Sequence, residues 1–206
     1  MPVSQLPVRL ATPADGKHAV ETLAQAFDHD PPLNWLLRQD LERENAFREF
    51  FSVSMHKMTL PFGCVDIAGD CEGVALWTPP GKWKLGPMDE LALVPSFIRV
   101  LGFRNLLSRV SGINRLQAAH PREPHYYLFA MGVSPNLQHC GVGSSLLRHR
   151  LAQCDAEGFP AYLEASTPAS RALYERMGFV AREALRMAPD APPLWPMWRE
   201  PGLKKS

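Results

Sequence analysis

The feature that most constrains this chain is the alternation in its final third. Strand-like character runs from His125 to Val133, helical periodicity from Gly141 to Glu157, and a short apolar strand from Ala161 to Ala165. A second helix follows from Pro168 to Met177, then strands near Phe179 to Leu185 and Leu194 to Trp198. A β-α-β-α-β-β order with short connections predicts an α/β layer structure whose ligand sits at the carboxyl ends of its strands. The first strand-to-helix junction is the most distinctive segment. After Ser134-Pro135-Asn136-Leu137 comes Gln138-His139-Cys140-Gly141-Val142-Gly143-Ser144, which opens the helix. First-turn amides lack intrahelical partners, the helix dipole favours negative charge, and glycine lets an anion approach the backbone.

Alone, a Gly-x-Gly before a helix is also a common way to turn a corner. No Gly-Lys-Ser/Thr follows as in a P-loop, and Leu146 stands where a dinucleotide fingerprint needs its third glycine. Nucleoside triphosphates and nicotinamide cofactors therefore fall back. A second run narrows the reading: Leu163-Glu164-Ala165-Ser166-Thr167-Pro168-Ala169-Ser170-Arg171-Ala172-Leu173-Tyr174-Glu175-Arg176-Met177-Gly178-Phe179. In this order the two runs resemble the GNAT family of acyl-CoA N-acyltransferases. Val8-Arg9-Leu10-Ala11-Thr12 and Val74-Ala75-Leu76-Trp77-Thr78-Pro79 extend the likeness toward its puromycin N-acetyltransferase-like branch.

The resemblance implies a GNAT fold, a central mixed, mostly antiparallel sheet flanked by helices. It implies one domain over residues 7–201, with a helical insertion at about 88–118 before the fourth strand and a tail at 202–206. It also implies acetyl-CoA as cosubstrate, no metal, and direct acetyl transfer to a primary amine of a small, antibiotic-like molecule. Gln138, His139, Cys140, Gly141, Val142, Gly143 and Ser144 then face the CoA pyrophosphate. Met131 and Val133 offer backbone amides to the acetyl carbonyl and pantetheine arm, and Thr167 and Ser170 are further cofactor contacts.

Two catalytic roles follow. Tyr174 returns a proton to the departing sulfur. Glu164, a carboxylate between apolar residues, is a general base or merely lies on an exposed strand face. Three positions stay open or depart from the family pattern. His139 and Cys140 stand where similar loops carry a glycine and a basic residue. Thr167 replaces a common Asn, and its hydroxyl either meets the cofactor or caps the helix at Pro168. Gly132 marks either a bulge or close packing. The departures keep a non-catalytic acyl-CoA sensor in view, which the retained Tyr174 and Glu164 argue against. A Cys140–His139 hydrolase is disfavoured, because adjacent residues rarely reach the needed geometry.

Composition agrees with a small-molecule partner. With 22 Lys and Arg against 21 Asp and Glu, a net charge of +1 offers no broad attraction to nucleic acid or membrane. No apolar run approaches the roughly 20 residues that span a bilayer, and the N-terminus does not look like a signal peptide, so a cytoplasmic location is expected. Cys64, Cys71, Cys140 and Cys154 are spaced too irregularly for a zinc or disulfide framework. Lys204-Lys205 reads as a solvated tail. A homodimer is one oligomeric state left open.

Upstream, Pro7 to Thr12 predicts a strand and Thr12-Pro13 the start of a helix running toward Phe27, with Pro31-Pro32 preventing its continuation. A helix from Glu42 to Leu60 and a hairpin of strands near 63–68 and 73–77 follow. Residues 88–118 carry more apolar positions than one stripe needs, which suggests a helix pair broken at Pro95, Gly102 or Gly112. Asn105, Ser108 and Arg109 are expected to face solvent rather than a pocket. Trp35, Phe51, Trp77, Trp83 and Phe103 are candidates for an aromatic acceptor pocket, most of them core.

Overall fold

The computed structural model describes residues 6–202, the Pro87 side chain excepted. Most of the expected tail, with Lys204 and Lys205, lies outside the described residues. The strands are β1 (Val8–Leu10), β2 (Val65–Ala68), β3 (Gly73–Thr78), β4 (Tyr126–Val133), β5 (Ala161–Ala165), β6 (Val180–Ala181), β7 (Leu185–Arg186) and β8 (Pro193–Arg199). They run in the order β1-β2-β3-β4-β5-β8-β6, with β7 on β8. Every pair is antiparallel except the central β4–β5 pair, giving the mixed, mostly antiparallel sheet expected.

Helices cover both faces, so period-2 alternation distributes apolar side chains to two cores. In β3, Val74 and Leu76 join a core with α1 (Gly16–Ala26), α3 (Arg43–Val53) and the end of α4 (Pro87–Leu101). Ala75 and Trp77 join a second core with α6 (Val142–Glu157). All six β3 residues are buried, as a central strand covered on both sides requires. Among the described residues no helix is long and apolar enough to cross a membrane.

Several boundaries differ from the sequence expectation. The first helix ends at Ala26, next to the expected Phe27, but Pro31-Pro32 also open a further helix, α2 (Pro31–Leu36), that the pattern did not show. Asp30 caps it, Oδ1 accepting from the Leu33 amide at 3.0 Å, and proline suits a first turn whose amide is spare anyway. The 42–60 helix keeps α geometry only to Val53 and continues as a π turn over Ser54–Thr59. The insertion is indeed a pair, α4 and α5 (Leu106–Ala119), and the break is at Gly102, whose φ of 68° few other residues adopt. Pro95 and Gly112 lie inside their helices; a Cβ at Gly112 would sit 2.9 Å from Met187 Cβ.

Asn105 and Ser108 face solvent as expected, but Arg109 is buried. Its guanidinium donates to the Leu37 carbonyl at 3.2 Å and to that of Leu101, closing the open ends of α2 and α4. Helix periodicity carries no sign of such acceptors. Gly132 marks close packing: a Cβ there would meet Ala26 Cβ at 2.8 Å. The bulge is earlier in the strand, at Phe129, skipped where Leu76 pairs with Ala130 and Trp77 with Leu128.

Candidate active site

The parallel pairing of β4 with β5 stops at Leu128 and Leu163, although β4 continues to Val133. Beyond that point the strands part. Ser134 donates its amide to Glu72 on the β3 side at 2.8 Å, and strand amides alternate in direction. The amides of Met131 and Val133 therefore face the gap on the β5 side. Gln138 Nε2 closes one end of this gap by donating to the Val133 carbonyl at 3.3 Å.

A cavity of ≈ 1130 Å³ opens at this fork. Gln138, His139, Gly141, Val142, Gly143 and Ser144 line one end, together with Met131 and Val133. Gly141, the N-cap of α6, takes φ 86° and has no side chain to satisfy the first turn. The 16-residue helix thus turns its unpaired amides and positive dipole end toward the cavity, a fit for an anionic pyrophosphate. Cys140 departs from the expected set: it is exposed and does not line the cavity.

His139 occupies the left-handed region at φ 63°, which explains why a glycine suits this position in similar loops. A non-glycine residue there is strained by about 1–2 kcal/mol. His139→Gly is expected to raise the unfolding free energy by about 0.5–1 kcal/mol, the gain being offset in part by greater unfolded-state entropy. Urea denaturation checks this; a loss of stability would show that the imidazole makes compensating contacts.

α7 (Pro168–Arg176) forms the next wall. Thr167 is its N-cap: Oγ1 accepts from the Ser170 amide at 3.1 Å, while the Thr167 amide donates to Ser170 Oγ at 3.1 Å. Both residues line the cavity, but their hydroxyls already serve the helix cap. One turn further, Tyr174 reaches the cavity from a buried position, its ring 6.0 Å from that of Phe179. Burial, assisted by the negative Asp30, pushes the Tyr174 phenol well up, so the hydroxyl keeps its proton and can only donate it.

Glu164 projects from β5 into the same cavity with its side chain 6% exposed, so the exposed-face alternative does not hold. Its Oε1 is buried without a hydrogen-bond partner, 3.8 Å from His120 Nδ1. Tyr127 and Tyr162 stand nearby; burial first, then the Glu164 charge, raises both phenols. The structure thus brings Tyr174, Glu164 and the α6 N-terminus to one space.

Sequence reasoning missed Asp30, whose burial raises its carboxyl while the Ser166 side chain and Leu33 amide pull it down. Asp-Pro-Pro was a capping signal read only as a stop. It also missed His120, which lines the cavity and for which no local pattern exists. Of the aromatics, Phe51 and Trp83 line the cavity, whereas Trp77 is core beneath α6 and Phe103 is exposed. Trp35 lies outside the cavity lining and donates Nε1 to Asp190 at 3.0 Å.

Comparison with known proteins points mainly to acetyltransferases. The sequence profile described as the acetyltransferase (GNAT) family matches residues 79–179. A Schizosaccharomyces pombe protein named an uncharacterized N-acetyltransferase is 28% identical, covering 91% of this chain and 80% of its own. A Corynebacterium glutamicum crystal structure titled histone acetyltransferase HPA2 and related acetyltransferase superposes with TM-score 0.74 at 28% identity, over 98% of this chain and 99% of the other. Arylalkylamine N-acetyltransferase 2 from Aedes aegypti shares the fold, with TM-score 0.63 at 16% identity over 96% and 100% of the two chains.

Proposed function

The chain belongs to the GNAT family of N-acetyltransferases, and from that premise we propose that it moves an acetyl group directly from acetyl-CoA to the primary amine of a small molecule with an apolar body. The observation carrying this reading is the single cavity that joins the uncapped α6 N-terminus, the free amides of Met131 and Val133, Tyr174 and Glu164.

Acetyl-CoA would supply the activated thioester. The amides of Val142, Gly143 and Ser144 hold the pyrophosphate, with Gln138 and His139 beside it, and the β4 amides face the carbonyl oxygen as it gains charge. Donors fixed in place need no reorganisation during reaction. As the nitrogen–carbon bond forms, Glu164 accepts the amine proton. As the carbon–sulfur bond breaks, Tyr174 protonates the thiolate.

The remaining wall suggests the acceptor class. Phe27, Phe50, Phe51, Leu93, Phe97 and Phe129 give this half a mainly apolar lining, contributed by the end of α1, α3, the insertion helix α4 and the bulged β4. Such a surface favours aromatic or branched amines over polycations. The likeness of the early motifs to the puromycin N-acetyltransferase-like branch points the same way. Thiol release from acetyl-CoA across a panel of amines tests this. Arylalkyl and bulky aromatic amines should give the highest kcat/KM; preference for spermidine or amino sugars would overturn the acceptor assignment.

A further inference from the structure

We propose that Glu164 hands the acceptor's proton to His120, and that His125 fixes His120 in the tautomer able to receive it. This rests on Glu164 being the base, and adds a residue pair that neither the motifs nor the family resemblance supplied.

His125 Nδ1 lies 2.6 Å from the Glu123 carbonyl, which can only accept, so Nδ1 carries hydrogen. Burial lowers the His125 pKa, with the neighbouring His120 acting the same way, so the ring stays neutral and its Nε2 is bare. His120 Nε2 sits 3.0 Å from that bare nitrogen and must therefore be the donor. In neutral His120 this leaves Nδ1 as the unprotonated atom, and Nδ1 is the one facing Glu164 Oε1 at 3.8 Å.

Two acceptors, a bare imidazole nitrogen and a carboxylate oxygen without a partner, thus face each other in a site where the side chains are 3% and 6% exposed. One proton resolves the conflict. The amine N–H bond breaks as an O–H bond forms at Glu164. That proton then passes to His120 Nδ1, leaving an imidazolium beside a regenerated carboxylate, and leaves to solvent after product release.

The surroundings hold His120 in line. Trp83 stacks on its ring at 3.9 Å, and the Tyr127 and Tyr162 edges close the sides at 4.7 and 4.8 Å. The titratable and charged groups around it are Glu123 and His125 before and at β4, Tyr127 on β4, Tyr162 and Glu164 on β5, and Arg182, whose charge acts on Tyr162. The two phenols retain their protons, so within this cluster the bare nitrogen facing Glu164 is Nδ1 of His120. His120 acts through Glu164 and is in that sense a positioning residue.

The test is His120→Gln, whose amide nitrogen keeps a donor toward His125 but does not titrate. It should lower kcat by about tenfold or more and shift the acidic limb of the kcat/KM profile, as loss of a coupled proton acceptor requires. An unchanged kcat and pH profile, with Glu164→Gln impaired, overturns the relay alone; an unimpaired Glu164→Gln removes the base assignment beneath it. Nitrogen NMR of ¹⁵N-histidine in the wild-type protein gives a readout that needs neither activity nor a folded variant. His125 should keep its proton on Nδ1 and stay neutral to lower pH than a free imidazole, while His120 carries hydrogen on Nε2. A His125 protonated on Nε2 contradicts the proposal.

Discussion

Tyr174→Phe is expected to lower kcat by about 10²- to 10⁴-fold, the usual contribution of a positioned proton donor, while the protein stays folded. Only the hydroxyl is removed. The ring keeps its contact with Phe179 and its place in the core under α6 and β5, so stability should change by about 1 kcal/mol or less. The phenol's raised pKa makes the expectation directional: at neutral pH Tyr174 holds a proton that it can give and is not a base. Thiol release at saturating amine, paired with a thermal melt, separates a chemical loss from a folding loss. A variant with wild-type kcat would transfer the role to water.

The second large effect lies away from the cavity. Arg150 on α6 is 2% exposed and grips Asp66 of β2, which is itself buried, through Nε–Oδ2 and Nη2–Oδ1 contacts of 2.9 and 2.6 Å. Its remaining Nη1 donates to Gln153 Oε1 at 2.9 Å. Arg150→Ala removes both Arg150 hydrogen bonds to the buried Asp66, leaving His149 Nε2 3.7 Å from Oδ1, and should cost about 3–5 kcal/mol, a large share of a typical domain's stability. The same helix presents the terminus proposed to hold the pyrophosphate, so weaker acetyl-CoA binding should accompany the loss. Replacing both partners by apolar residues, as in Arg150→Met with Asp66→Leu, should recover most of the stability, because the pair's desolvation cost disappears with it. Chemical denaturation of the single and the double variant measures this. Near-equal losses in single and double variants would mean that the pair contributes through packing rather than charge.

Arg150 also shows where sequence reasoning stops. A helix read as an amphipathic stripe has no place for a buried guanidinium, and only the register of β2 against α6 reveals Asp66 as its partner. Arg109 is the same case, its partners being carbonyls at the ends of two other helices. The two motifs that were legible are those whose chemistry is local. Gly141 must take a left-handed turn before a helix, and Thr167 with Ser170 must cap one. Their separation along the chain says nothing of distance, yet the parallel β4–β5 pair sets both helices at one fork. The fork itself was implied by family likeness and not by pattern, because strand runs do not announce where pairing ends. His120 and His125 meet across a short turn with no periodic signature, so they could be found only in three dimensions.

The central claim is direct transfer from acetyl-CoA to an amine at this fork. Incubating the protein with ¹³C-acetyl-CoA and its best amine, followed by intact-mass and small-molecule mass spectrometry, addresses it most directly. The account predicts label in an amide product in a 1:1 ratio to free CoA, with the protein itself unmodified. Acetyl-CoA binding without CoA release for any amine, as expected of a sensor, would contradict it.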